Sequence, residues 1–328
     1  MNIIDVAREA GVSKTTVSRV LTNSKLVKPE TREKVLATIE RMGFIPNTSA
    51  QKLAGNRNYV IGIINSESIN DPFYGYVEDQ IAQECKKREY GVIYTVTQNK
   101  DNGCEKEISM LYGKVDAFII LGNRGILERD VEKVVRMQMP IALFKTDVEK
   151  DGAMSVDVDN EHGGYMAARY LLKKGYKKIG YMHGSRTRDF REGNQREAGF
   201  VKAIQESGRE IAAHFYGTRS YAEAYYSTEE VISSGIDALF CETDMMAYGI
   251  LQGMREKGIS IPDTIAVLGF DNAKFTNYET QIKLSTIGQP LEKMAAYMVE
   301  GLINMLELNQ KYQKVTLFET DFIEGETA

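Results

Sequence analysis

The stretch KTTVSRVLT, residues 14–22, crowds hydrogen-bonding side chains onto a short apolar frame. Lys14, Thr15, Thr16, Ser18 and Arg19 fill five of six consecutive positions, and Val17, Val20 and Leu21 recur at helical spacing. A helix built this way turns its apolar residues inward and shows its polar groups to whatever lies outside. The chemistry open to that face is recognition. A lysine ammonium can donate to guanine acceptors, and a threonine offers a hydroxyl or a methyl to a base edge. Taken alone, such a run is also an ordinary solvated helix face, so the surrounding elements must decide.

Bond-making chemistry has little to work with. No GxGxxG follows a strand-like run, and neither GxxxxGKS/T nor GxSxG occurs. His162, His183 and His214 are scattered without the spacing of metal ligands, and each is expected to be structural, with His183 ending a strand near a possible cleft. Cys85, Cys104 and Cys241 are odd in number and form no CxxC pair, which fits free thiols in a reducing compartment. The expectation is no enzyme, no cofactor and no metal. No apolar run reaches the length of a membrane span, and MNIIDVAREAG lacks the basic-then-apolar pattern of a signal peptide. A cytoplasmic chain without a membrane partner is expected.

Charge points the same way as the polar run. The whole chain carries −5, yet residues 1–57 hold ten Lys/Arg against five Asp/Glu, and the rest hold 31 against 41. A basic head on an acidic body suits a phosphate-contacting module joined to a sensor.

The elements that position the run can be read on either side of it. Ile3, Val6, Ala7 and Ala10 mark a first helix, capped by Asn2 with Asp5 three residues on. Gly11 ends it at a tight corner, and Ser13 caps the helix that carries the polar run. Pro29 opens a third helix, whose apolar stripe is read as Val35, Leu36, Ile39 and Met42, closed by Gly43. Residues 47–57, NTSAQKLAGNR, form a small and polar bridge, a helix of barely two turns that needs something to order it.

From Tyr59 the pattern changes. Strand-like runs at 59–65, 91–97, 115–121, 141–144, 178–183, 238–242, 265–270 and 284–288 alternate with amphipathic stretches at 74–88, 162–174, 194–207, 221–234, 244–257 and 291–308. Continuous apolar strands between helices predict parallel sheets covered on both faces, here in two doubly wound lobes with a ligand at the carboxyl ends of the strands between them.

The head DVAREAGVSKTTVSRVLTN, followed by KPETREKVLATIERMGFIPNTSAQKLAG, closely resembles the LacI/GalR family of repressors. IGIIN, DPFYG, VDAFIILG, VDNEHGGYMAARYLL, IGYMHG, REAGF, TDMMAYG, IAVLGFDN and STIGQP extend the resemblance over essentially the whole chain. It implies a helix-turn-helix head (1–46), a hinge helix (47–57) and a two-lobed α/β body similar to periplasmic sugar-binding proteins. Its N-terminal lobe would be 58–160 with 290–316, and its C-terminal lobe 161–289 with 317–328. The competing reading is an α/β enzyme, such as a dehydrogenase or kinase, set aside on the missing motifs; a third, a periplasmic binding protein, is set aside on the basic helical head and the missing signal pattern.

The resemblance assigns roles residue by residue. Lys14 and Thr15, with Thr16 behind them, would lie at base edges in the major groove, and Ser18 one turn on. Arg19 would reach a base or phosphate, and Thr22 the backbone. Leu53 would wedge into a minor-groove step, with Asn47, Ala50 and Ala54 around it. In the cleft it implies Asp71, Phe73, Arg196 and Asp271 as effector contacts, with Asp147, just after the strand at 141–144, as a further candidate. Thr243 stands where many members carry Asn, which removes a two-way hydrogen-bonding group there. The implied partners are a pseudo-palindromic operator, a sugar-like effector and a second copy of the chain. No heptad tail follows the last strand-like run, VTLFETDFIE, so a homodimer is expected.

Overall fold

A computed structural model describes residues 2–21, 26–44, 57–68, 71–97, 103–187, 190–274, 282–308, 310, 312 and 315–328. Thr22 and the hinge positions Asn47, Ala50, Leu53 and Ala54 lie outside the described residues. The chain divides into two units, residues 1–59 and 60–328.

The first unit holds helices Ile3–Glu9, Lys14–Leu21 and Pro29–Met42. Each boundary has a local cause. Asn2 Oδ1 accepts the Ile4 and Asp5 amides at 2.8 and 3.2 Å, while the Asn2 amide donates to Asp5 Oδ2 at 2.9 Å, a reciprocal cap. Gly11 takes φ 63° at the corner and Gly43 takes φ 60° at the last exit, conformations that cost glycine nothing. Val6, Ala7, Ala10, Val17, Val20 and Val35 form the core. Leu36 departs from the expected stripe: it is 47% exposed, and Thr38 is buried in its place with its hydroxyl on the Lys34 carbonyl at 2.9 Å. A helix advances about 100° per residue, so a face centred on Val35, Thr38 and Met42 leaves Leu36 at the rim.

The second unit contains two six-stranded sheets. The first runs in the order β2 (Gly91–Val96), β1 (Val60–Asn65), β3 (Ala117–Leu121), β4 (Ile141–Phe144), β5 (Met154–Val158), β11 (Val315–Phe318). The second runs β7 (Ala213–Tyr216), β6 (Ile179–His183), β8 (Ala238–Cys241), β9 (Ala266–Asp271), β10 (Ser285–Gly288), β12 (Asp321–Ile323). All pairings are parallel except β10 with β12. Central strands β3, β4, β5, β6, β8, β9 and β10 are buried along their length, as sheets covered on both faces require.

The chain crosses between the sheets after Val158, at Gln289–Pro290 and at Glu319–Thr320. The last crossing falls beyond the expected 316/317 division, because Leu317 and Phe318 still pair with Asp157 and Val158. In each sheet the strand order reverses once, between β1 and β3 and between β6 and β8, and the loops leaving those strands open a crevice there.

Several elements go beyond the sequence reading. β5 and β7 are strands, Glu105–Leu111 and Glu128–Arg136 are helices, and the single helix expected over 221–234 is two, Tyr221–Tyr226 and Thr228–Ser233. At that break Ser227 Oγ donates to the Glu223 carbonyl at 2.9 Å and Thr228 Oγ1 to the Tyr225 carbonyl at 2.7 Å. Hydroxyls bonding back onto helix carbonyls compete with the regular ladder. Among the described residues no helix is long and apolar enough to cross a membrane.

Candidate functional site

The helix Lys14–Leu21 buries Val17 and Val20 and exposes Lys14, Thr15 and Arg19, with Thr16 and Ser18 half-buried. Ser13 starts it: Ser13 Oγ accepts the Thr16 amide at 3.0 Å and lies 2.8 Å from the Thr16 hydroxyl. Thr16 is therefore engaged in fixing the helix start, and Lys14 and Thr15 are the side chains that project from its first turn.

In the second unit, five of the expected effector residues share one cavity. Asp71, Phe73, Arg196, Thr243 and Asp271 line it, together with Tyr74, Lys145, Glu192, Arg219 and Met245. It measures about 40 Å³ and adjoins a mouth of about 370 Å³; Asp71, Tyr74, Arg219 and Met245 belong to both. Asp147 is not among the lining residues. It stands 2.8 Å from Arg191 Nε and pairs with the Asn123 amide, so it ties the lobes together instead of facing the cavity.

Each side chain is set by the end of an element. Asp71 caps helix Pro72–Lys87, accepting the Phe73 amide at 3.0 Å. Phe73 is buried, stacked on Phe144 at 6.3 Å between centroids. Thr243 caps helix Asp244–Glu256 through the Met246 amide at 3.4 Å, so its hydroxyl has a structural duty at the cavity wall. Arg196 is buried with Nε on Asn160 Oδ1 at 2.9 Å, Nη1 on the Glu242 carbonyl at 2.5 Å and Nη2 3.7 Å from Asp271 Oδ1. Its guanidinium also lies 3.6 Å from the Phe270 ring centroid. Asp271 ends β9 and receives the Gln289 side-chain amide at 2.6 Å.

The backbone is forced at this place. Asp271 has φ 130°, and Lys145 and Arg219 both have φ 55°. Non-glycine residues in such conformations cost on the order of 1–3 kcal/mol each and collect where a side chain must be aimed.

Charge is concentrated and mostly paired. Burial raises the Asp271 carboxyl above the usual range, opposed by Arg196 and Lys145. Behind it, Asp244 is pushed up to about 8 by burial and by the Asp271 charge, although Thr286 Oγ1 and the Asn272 amide donate to it at 2.6 and 2.7 Å. Burial raises Asp71 as well, with Asp271 adding to it. For Glu192 burial works upward too, but Arg219, Lys145 and Arg196 overturn it and hold the carboxyl at about 2. Burial lowers the Lys145 ammonium, which Asp157 opposes from 3.3 Å.

Two histidines expected to be scattered meet across β6 and β7. His183 Nε2 and His214 Nδ1 are 2.8 Å apart, and Glu197 lies 3.8 Å from His183 Nδ1. The 31-residue separation hides this pairing, which depends on strand register. The three groups could in principle approach a cation, while the ring-to-ring hydrogen bond already uses the facing nitrogens.

Lys145, Glu192 and Arg219 were not singled out from the sequence. Lys145 directly follows the strand read at 141–144, so the strand-end rule favoured it over Asp147. Glu192 sits in the charged stretch RTRDFRE, which reads as surface. Arg219 follows β7, whose alternating exposure conceals it as a strand.

Residues 2–47 match the model for bacterial regulatory proteins of the lacI family, and residues 168–328 match a periplasmic binding protein-like domain. The chain is 30% identical over 304 residues to catabolite control protein A of Priestia megaterium, covering 90% of each chain. Its fold is similar to that of the lac repressor dimer bound to operator and the anti-inducer ONPF, with a TM-score of 0.81 at 24% identity over 100% of this chain and 98% of that one. It is also similar to the transcriptional regulator CelR in its cellobiose complex, with a TM-score of 0.68 at 24% identity over the full length of both.

Proposed function

The chain belongs to the lacI family of bacterial regulatory proteins, and on that premise we propose that it represses carbohydrate-utilisation genes under the control of a small sugar held between its two lobes. Members of the family bind DNA and regulate transcription, and this chain is a regulator of that kind.

The observation that carries the effector half is the convergence of Asp71, Phe73, Arg196, Thr243 and Asp271, drawn from both lobes, on one cavity at the strand ends. Carboxylates and a guanidinium can bridge hydroxyls, and an aromatic ring can pack on a sugar face. The cellobiose-bound CelR supports a sugar as the class of ligand. On the DNA side, Lys14 and Thr15 would contact base edges, Ser18, Arg19 and Thr22 would add base or backbone contacts, and Thr16 would hold the helix start. Asn47, Ala50, Leu53 and Ala54 would form the hinge contact in the minor groove. A two-fold operator requires two copies, so the working form is read as a homodimer. We read it further as a cytoplasmic protein without catalytic activity.

An effector acts here by linkage. It changes operator affinity only by as much as it prefers one lobe arrangement over another. Fluorescence anisotropy of the full chain on a pseudo-palindromic duplex, with a scrambled duplex as competitor and a sugar panel as effectors, tests both halves. The expected result is duplex-selective binding whose midpoint one class of sugar moves. Equal affinity for the scrambled duplex overturns the repressor reading, and a midpoint that no sugar moves overturns the sugar.

A further inference from the structure

Resting on the reading of the cleft as the effector site, we propose that the effector bears a carboxylate, as a sugar acid does, and that the Nε–Nη2 edge of Arg219 receives it.

The guanidinium of Arg219 is fixed on two sides. Its face lies 4.0 Å from the Phe190 ring centroid, and Nη1 stands 3.5 Å from Glu192 Oε1. Its remaining edge is open to a partner. Nε and Nη2 are both buried, and neither has a hydrogen-bond partner among the described residues. The side chain as a whole keeps some exposure, while Nε and Nη2 themselves are enclosed. Two unpaired N–H groups on a buried cation are costly, more so than unpaired neutral donors.

Position gives that edge a purpose. Arg219 belongs both to the inner cavity and to its mouth, so a ligand reaching from one to the other passes it. Its backbone is held at φ 55°, which aims the side chain at a conformational cost.

The rest of the cavity narrows the ligand class. Its carboxylates each hold a contact within the protein and keep further acceptor sites for hydroxyls: Asp71 has the Phe73 amide, Asp271 has Gln289 and Arg196, and Glu192 has Arg219. Lys145 keeps donor capacity, since its buried ammonium makes one hydrogen bond, to Asp157, among the described residues. The cavity-lining buried atoms that lack a hydrogen-bond partner among the described residues are thus the Nε and Nη2 donors of Arg219. A hydroxyl presents one oxygen to Arg219. A carboxylate presents two coplanar oxygens that match two parallel N–H groups.

The test is isothermal titration of the full chain with glucuronate, galacturonate and gluconate, the parent glucose and galactose, and glucose 6-phosphate. One of the sugar acids is expected to bind on the order of a hundredfold more tightly than its parent sugar. Arg219→Met should abolish that preference, and Arg219→Lys should recover only part of it, because the charge remains and the fork is lost. Far-UV circular dichroism confirms that each variant is folded, and the wild-type comparison stands without them. A parent sugar binding as well as its acid overturns the carboxylate and leaves the sugar reading intact. Tighter binding of the 6-phosphate overturns the planar carboxylate in favour of a phosphate. Silence from every ligand overturns both this proposal and the sugar reading.

Discussion

Arg191 Nε, in the second lobe, lies 2.8 Å from Asp147 Oδ1, in the first. The same guanidinium reaches Asp157 Oδ2 at 3.2 Å and the Thr146 carbonyl at 3.1 Å. One arginine on helix Arg191–Glu206 thus grips both the loop after β4 and strand β5 of the opposite lobe. The exposed Asp147 contact is worth at most about 1 kcal/mol, whereas the Asp157 contact is part-buried, its carboxylate enclosed.

Loosening this grip should open the cleft. Asp147→Ala is expected to shift the lobes apart in a fraction of molecules, which small-angle X-ray scattering reads as a larger radius of gyration. Arg191→Ala, which loses both carboxylates, should do so more strongly. Unchanged scattering from both variants would show that the clasp does not hold the lobes.

Arg196→Ala should be strongly destabilising. It removes the cation facing buried Asp271 and leaves the Asn160 and Glu242 oxygens without their donor. Breaking a buried pair from one side costs about 3–5 kcal/mol. Urea denaturation followed by circular dichroism measures it, and a loss below about 1 kcal/mol would contradict the pairing.

The buried Asp244 gives the body a pH dependence of definite sign. Its folded carboxyl is pushed up to about 8, by burial first and the Asp271 charge second, so the folded state holds a proton that the unfolded state has released. Stability therefore falls as pH rises from about 5 to about 8, because in that window the unfolded state binds fewer protons. Asp244→Asn should show less of this slope. Parallel urea titrations of the two proteins at pH 5, 6.5 and 8 check it, and equal slopes would refute the assignment.

Lys14→Ala should weaken binding to the preferred operator by about 1–3 kcal/mol while changing scrambled-duplex affinity much less. Anisotropy titration on both duplexes separates the two cases. An equal loss on both would make Lys14 a phosphate contact and not a base contact.

Much of this architecture is legible in the sequence because it rests on local rules. Asn2, Gly11, Ser13, Pro29 and Gly43 set the boundaries of the first three helices through capping and positive φ. Buried strands such as 141–144 and 266–271 announce themselves as continuous apolar runs. What stays hidden depends on partners far along the chain. The strand 154–158 reads MSVDV, and its Asp157 looks like a surface residue until Lys145 and Arg191 are seen against it. Arg219 is an unremarked arginine in GTRSY until the fold sets Phe190 and Glu192 beside it. Asp147 has the right type two positions too late, since the strand end already places Lys145 at the cavity.

The three crossings between the lobes have a mechanical consequence. Two bodies tied by a single strand can swivel in any direction, but three ties running side by side leave one easy motion, a turn about the line that passes through them all. Residues close to that line, such as Asn160 and Gln289, scarcely travel during such a turn, while Arg124, Phe190 and Tyr221 at the cleft mouth sweep the longest arcs. A small turn about that line would therefore be felt most at the mouth.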